Sequence, residues 1–154
     1  MEIDKIVSEL ETSMIPSLNR TRYVLIEFSS SVKGEEIMEC VQRLTKEEWH
    51  PVLAHAERYR EIFKNDSDIE NLQKIGCLFQ INVYSLFDEE NEEIKKNAIR
   101  LIEDKRVAFL GSDAHRTMHR PPSVKYGLQF LYDYFEKEYI DQISYRNAEK
   151  LLLI

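Results

Sequence analysis

Short apolar runs alternate along the chain with longer segments whose apolar positions recur at helical spacing. Ile3, Ile6, Val7 and Leu10 give the first helical pattern, and the stretch Met14 to Asn19, with Pro16, ends it. Tyr23-Val24-Leu25-Ile26 is a compact aromatic and β-branched run, hence a strand. A helix is predicted over Glu35 to Trp49, opening near Gly34, then a strand over Pro51 to Ala54. Tyr59 to Ile75 reads as helical, interrupted near Asn65-Asp66 and stopped by Gly76. Cys77 to Ile81 is a third strand. Asn91 to Asp104 is a helix with apolar positions at Ile94, Ala98, Ile99, Leu101 and Ile102. Val107 to Leu110 is a fourth strand, and Ser123 to Phe135 and Tyr139 to Leu153 are helical. Strands apolar on both faces and alternating with helices imply a parallel sheet or barrel. Right-handed crossovers then put every strand's C-terminal end on one face.

Composition narrows this picture without changing it. In 154 residues, 43% are apolar and 32% charged, the balance of a folded chain with its own core. We read residues 1–154 as a single domain. The net charge of -7 and the lack of a basic stripe argue against nucleic acid and against anionic membrane surfaces. No apolar run approaches the length of a membrane span, and Met1-Glu2-Ile3-Asp4-Lys5 is too acidic for a signal peptide. Cys40 and Cys77 are isolated from each other and read as reduced thiols of a cytoplasmic protein.

The candidate chemistry follows the strands. The first ends Ile26-Glu27-Phe28, the second Ala54-His55-Ala56-Glu57-Arg58, the third Ile81-Asn82, and the fourth Gly111-Ser112-Asp113-Ala114-His115. In α/β barrels that end of the strands carries the active site. A glutamate inside an apolar strand is costly unless a cation pairs with it, which draws attention to Glu27. Glu27, His55, Asp113 and His115 offer two carboxylates and two imidazoles, a mixed oxygen and nitrogen set suited to Mn, Fe or Zn. Arg58 and Arg120 add planar cationic forks that match a phosphate dianion. Together they read as metal-assisted phosphoester hydrolysis. Each piece also has a plain structural reading. Asp113 can be a helix cap, His55 a hydrogen-bonded strand-end residue, and Arg58 the partner of Glu57 or Glu61 on a helix face. The coincidence at equivalent strand ends favours the functional reading. His50 and His119 lack that support and read as structural or surface residues. Tyr132, Tyr134 and Tyr139 read as helix packing.

Pro51-Val52-Leu53-Ala54-His55-Ala56-Glu57-Arg58-Tyr59 resembles a "P-x-L-A-H-P-E-R-Y" segment. Gln80-Ile81-Asn82 with Ser85-Leu86 resembles "Q-x-N-x-x-S-L", and Tyr23 to Phe28 resembles "Y-x-L-I-E-F". Ser112-Asp113-Ala114-His115 followed by Arg120-Pro121-Pro122 resembles "S-D-A-H" and "R-P-P", and Asn147-Ala148 resembles a closing helix start. On these segments the chain resembles the bacterial manganese-dependent protein-tyrosine phosphatases of capsular and exopolysaccharide synthesis, within the polymerase-and-histidinol-phosphatase (PHP) superfamily. The resemblance implies a distorted (β/α) barrel, here incomplete and missing its first strands. It implies a manganese cluster, with Fe or Zn as alternatives, and a phosphotyrosine substrate on a bacterial tyrosine kinase. It makes Glu27, His55, Asp113 and His115 metal ligands, and Arg58 and Arg120 the groups that bind the transferring phosphoryl.

Three departures stand out. Ala56 replaces the usual Pro, and Val83-Tyr84 replaces a small pair, which is expected to crowd the mouth of the site. The loop before Arg120 carries Met118 and His119. The four histidines are His50, His55, His115 and His119, so the family's opening H-x-H pair and the ligands that follow it have no counterpart. Four ligands do not complete a three-metal cluster. The alternative reading is therefore an inactive remnant, or a phosphotyrosine- or kinase-binding module holding at most one weak metal. Its unpaired sheet edge would favour a homo-oligomer.

Overall fold

A computed structural model describes residues 16–88, 91–112 and 124–153. The helical pattern over Ile3 to Leu10 lies outside them. The contacts gather into two compact units. Of the described residues, the first holds those up to Ala54, Tyr59 to Leu78, and Leu152 and Leu153; the second holds His55 to Arg58 and those from Phe79 to Leu151. The chain thus leaves the first unit for four residues, His55 to Arg58, and returns to it at Tyr59.

In the first unit, β1 (Tyr23–Ile26) pairs in parallel with β2 (His50–Leu53), Tyr23 opposite His50 and Ile26 opposite Leu53. The connection between them is α1 (Gly34–Lys46). Its buried residues, Ile37, Cys40, Val41 and Leu44, fall at i, i+3, i+4 and i+7, the stripe an amphipathic helix turns to its core. Glu36 caps the helix start by accepting from the Lys33 amide at 2.9 Å. The helix stops at Lys46, three residues short of the predicted Trp49. Trp49 is buried in the turn into β2, with the Arg22 guanidinium 4.3 Å above its ring. The predicted helix over Tyr59 to Ile75 is a 3-10 turn (Arg60–Phe63) followed by α2 (Asp66–Lys74). Gly76 ends α2 at φ 99°, a left-handed conformation that glycine adopts without a Cβ penalty.

In the second unit, β3 (Leu78–Asn82) and β4 (Phe109–Gly111) pair in parallel, Gln80 opposite Phe109 and Asn82 opposite Gly111. A 3-10 turn (Val83–Phe87) and α3 (Glu92–Glu103) connect them. The Asn91 side chain caps α3. Ala98, Leu101 and Ile102 are its buried face. Then come α4 (Val124–Tyr134), α5 (Lys137–Asp141), a π turn (Gln142–Arg146) and α6 (Asn147–Leu152), so the predicted last helix is three short pieces. Val83, expected to crowd the site, is buried and packs against α4 where a Cβ on Gly127 would otherwise stand. Tyr84 is the exposed member of that pair. Tyr139 is buried with its hydroxyl accepting from the Val107 amide at 3.1 Å, while Tyr134 is exposed, its ring against Phe130 of the same helix. Cys40 and Cys77 are buried free thiols. Among the described residues no helix is long and apolar enough to cross a membrane.

Candidate phosphoryl-binding and metal site

Leu53 ends β2, and the four residues His55 to Arg58 form one tight turn, Ala56–Arg58 being a 3-10 helix. His55 enters it at φ 37°, a left-handed conformation uncommon outside glycine, although Asn, Asp and His adopt it more readily than other residues. Such a conformation persists only where the surroundings enforce it. Here the enforcement is a set of hydrogen bonds from the second unit. The His55 amide donates to the Gln80 side-chain oxygen at 2.8 Å, and the Arg58 amide closes the turn on the His55 carbonyl at 3.0 Å. The Glu57 carbonyl accepts from the Asn97 side chain at 3.1 Å. Glu57 Oε1 accepts from the Ser85 hydroxyl at 2.6 Å and from the Asn82 amide at 3.1 Å. Gln80 in turn donates to the Asn82 side chain at 2.9 Å and to the Ile81 carbonyl at 2.6 Å. Gly111, at the end of β4, is glycine because a Cβ there would run into the Gln80 amide nitrogen.

Glu57, offered above only as one partner for Arg58 in the plain structural reading, lies on a 3-10 turn as a carboxyl with no exposed surface. Its Oε2 has no hydrogen-bond partner among the described residues. Burial pushes its carboxyl up, against the lowering influence of the Ser85 and Asn82 hydrogen bonds and the Arg58 charge. The "Q-x-N-x-x-S" segment supplies the groups that bind the turn: Gln80, Asn82 and Ser85.

Glu27 lies just past β1 and is exposed, so the argument from a charge inside an apolar strand does not apply to it. Its chain neighbour is what is held. The Phe28 amide donates to the buried Tyr59 hydroxyl at 2.9 Å, and that hydroxyl donates back to the Phe28 carbonyl at 3.3 Å. Tyr59, which sequence reasoning placed in a helix, therefore fixes the backbone beside Glu27. His50 is exposed and stacks on Tyr23 with ring centroids 4.8 Å apart, a surface role as expected. Asp113, His115, His119 and Arg120 lie outside the described residues. Among the described residues no three His, Cys, Asp or Glu side chains group as a metal would require, so Glu27 and His55 alone do not make a metal centre.

A family model for capsular polysaccharide synthesis proteins, CpsB/CapC, matches residues 2–153. The chain belongs to the CpsB/CapC family. It is 30% identical over 151 residues to the tyrosine-protein phosphatase CpsB of Streptococcus agalactiae serotype III, covering 95% of this chain and 62% of that protein. It is 32% identical over 151 residues to the tyrosine-protein phosphatase YwqE of Bacillus subtilis, covering 96% of this chain and 58% of that one. Its structure superposes with a TM-score of 0.85 at 32% identity on a chain from the crystal structures of YwqE and Streptococcus pneumoniae CpsB, described as unique metal-dependent tyrosine phosphatases. That match covers 97% of this chain and 60% of the other. The CpsB/CapC chain thus has the PHP-type α/β fold, and it spans about three-fifths of the length of these relatives.

Proposed function

We propose that this CpsB/CapC chain, residues 1–154, is a single PHP-type domain that hydrolyses phosphotyrosine on a protein, a tyrosine kinase of capsule or exopolysaccharide synthesis, in the cytoplasm. The observation that carries the reading is the clamped turn. It sets His55 and Arg58 three residues apart on one rigid support at a strand's C-terminal end, in a chain of this family. In this reading Glu27, His55, Asp113 and His115 hold manganese. The bound metal supplies an activated water and polarises a phosphoryl oxygen. Arg58 and Arg120 orient the phosphate dianion and stabilise its charge in the transition state.

The test is hydrolysis of a phosphotyrosine peptide by the 154-residue chain with added manganese, alongside its metal content. Arg58→Ala should lower kcat by about 10²- to 10³-fold, the cost of deleting one transition-state donor. Asp113→Ala should abolish both turnover and metal retention. Unchanged rates in His115→Ala would sink the ligand assignment. Binding of the peptide without turnover, dependent on Arg58 and Arg120, would favour the non-catalytic module.

A further inference from the structure

We propose that Glu57, Gln80, Ser85 and Asn97 are positioning residues, a polar clamp that holds the His55–Arg58 turn in a single orientation, with Gly111 keeping the space the clamp occupies. The inference rests on the roles proposed above for His55 and Arg58. Its basis is where the turn is held. These four residues belong to the second unit, whereas both flanking segments, to Ala54 and from Tyr59, belong to the first. Four polar bonds reach the turn from three elements of that second unit. Gln80 on β3 takes the His55 amide, Ser85 and the Asn82 amide take Glu57 Oε1, and Asn97 on α3 takes the Glu57 carbonyl.

Glu57 is the hub because one carboxylate oxygen serves two donors, and neither donor has water as a substitute at a fully buried site. Gly111 extends the clamp to β4. A methyl there meets the Gln80 amide nitrogen, and a displaced amide moves the oxygen that accepts from His55. A substitution on β4 should therefore be felt at the His55–Arg58 turn without touching it. Partners of this kind, one step removed from the reacting groups, typically change metal affinity or activity about 10- to 100-fold.

Hydrogen exchange of the full chain, read by mass spectrometry on peptides covering 55–58, tests the clamp independently of catalysis. Ser85→Ala, Gln80→Leu and Gly111→Ala should each speed exchange at 55–58 by about tenfold, with α1 exchanging as in the unsubstituted protein. Glu57→Gln keeps an acceptor oxygen and should restore slow exchange that Glu57→Leu loses. If manganese-dependent turnover is present, Gly111→Ala should lower kcat about 10- to 100-fold with little change in melting temperature. A chain without turnover refutes the proposed function and leaves the exchange result to decide the clamp. Unchanged exchange at 55–58 in folded Ser85→Ala and Gly111→Ala, or Glu57→Gln as fast as Glu57→Leu, would overturn it.

Discussion

The two units of this CpsB/CapC chain bury different things. Among the described residues the buried polar or charged side chains are Glu57, Asn82, Ser85 and Asp141, all in the second unit. The first unit's interior is apolar apart from thiols and polar-tipped rings: Cys40, Cys77, Trp49 and Tyr59, whose hydroxyl meets the Phe28 backbone. An apolar interior holds a shape by packing, and many sequences satisfy it. A buried polar set is satisfied by one arrangement and penalises the rest. The second unit therefore specifies a local geometry through buried carboxylate, amide and hydroxyl groups, where the first relies on packing and the Tyr59 hydroxyl, and the His55–Arg58 turn is what that geometry holds. Asp141 follows the same rule away from the site: its two oxygens accept from Tyr132 at 2.7 Å and Arg146 at 3.2 Å, across the π turn.

The largest test of this contrast is Glu57→Ala. It removes the acceptor for two buried donors and leaves a cavity, so a loss of about 3 kcal/mol is expected in urea unfolding. Glu57→Gln, which keeps one oxygen, should cost about 1 kcal/mol. Equal losses in the two variants would mean that the side chain acts through volume alone, as an apolar residue of the first unit would.

Gly127→Ala comes next. The added methyl occupies the space of the Val83 branch, and overpacking of this kind costs about 2 kcal/mol. The paired variant Val83→Ala, Gly127→Ala should recover part of that loss, because the obstructing group is gone. Gly76→Ala in the first unit should cost about 1 kcal/mol for a different reason: φ is 99° there and space is open except for a methyl of Thr45 at 3.6 Å. No second-site truncation should rescue it, since the strain is in the backbone.

The first unit's thiols give a pH test. Burial pushes Cys77 up to about 12 and Cys40 up to about 11, from an ordinary value of 9.0. Both groups have folded values above their unfolded ones, so their share of stability is complete below about pH 9. It is lost as pH rises from there toward 11 and 12. Alkylation at pH 8 should accordingly be slow in the native chain and fast in urea. Rapid native labelling of both would show that this core opens readily.

What was legible in the sequence followed the same division. The run Tyr23–Ile26 matches its strand, and the helix opening near Gly34 and the Gly76 stop are where the sequence puts them, because apolar runs and a left-handed glycine are local signals. The misplaced features depended on distant partners. Nothing local marks Glu57 as buried; the groups that reach it, Asn82 and Ser85, lie about 25 residues on. Tyr59 reads as a helix start until its hydroxyl is seen against Phe28. The π turn at Gln142–Arg146 has no periodicity of its own and was absorbed into one long helix. Glu27 was singled out by an argument from burial, yet it stands exposed.

Glu27 supplies the smallest and sharpest test. An exposed glutamate beyond a strand end contributes little to folding, so Glu27→Ala should change unfolding stability by no more than about 0.5 kcal/mol without metal. A ligand that binds only the folded state stabilises by RT ln(1 + [L]/Kd), so any rise in melting temperature on adding manganese measures the metal's affinity. If Glu27 is a ligand, that rise should shrink in Glu27→Ala while the metal-free transition stays where it was. Glu57→Gln should instead move the metal-free transition. A manganese-dependent rise equal in Glu27→Ala and the unsubstituted chain would remove Glu27 from the metal site and leave the strand-end argument resting on His55, Asp113 and His115.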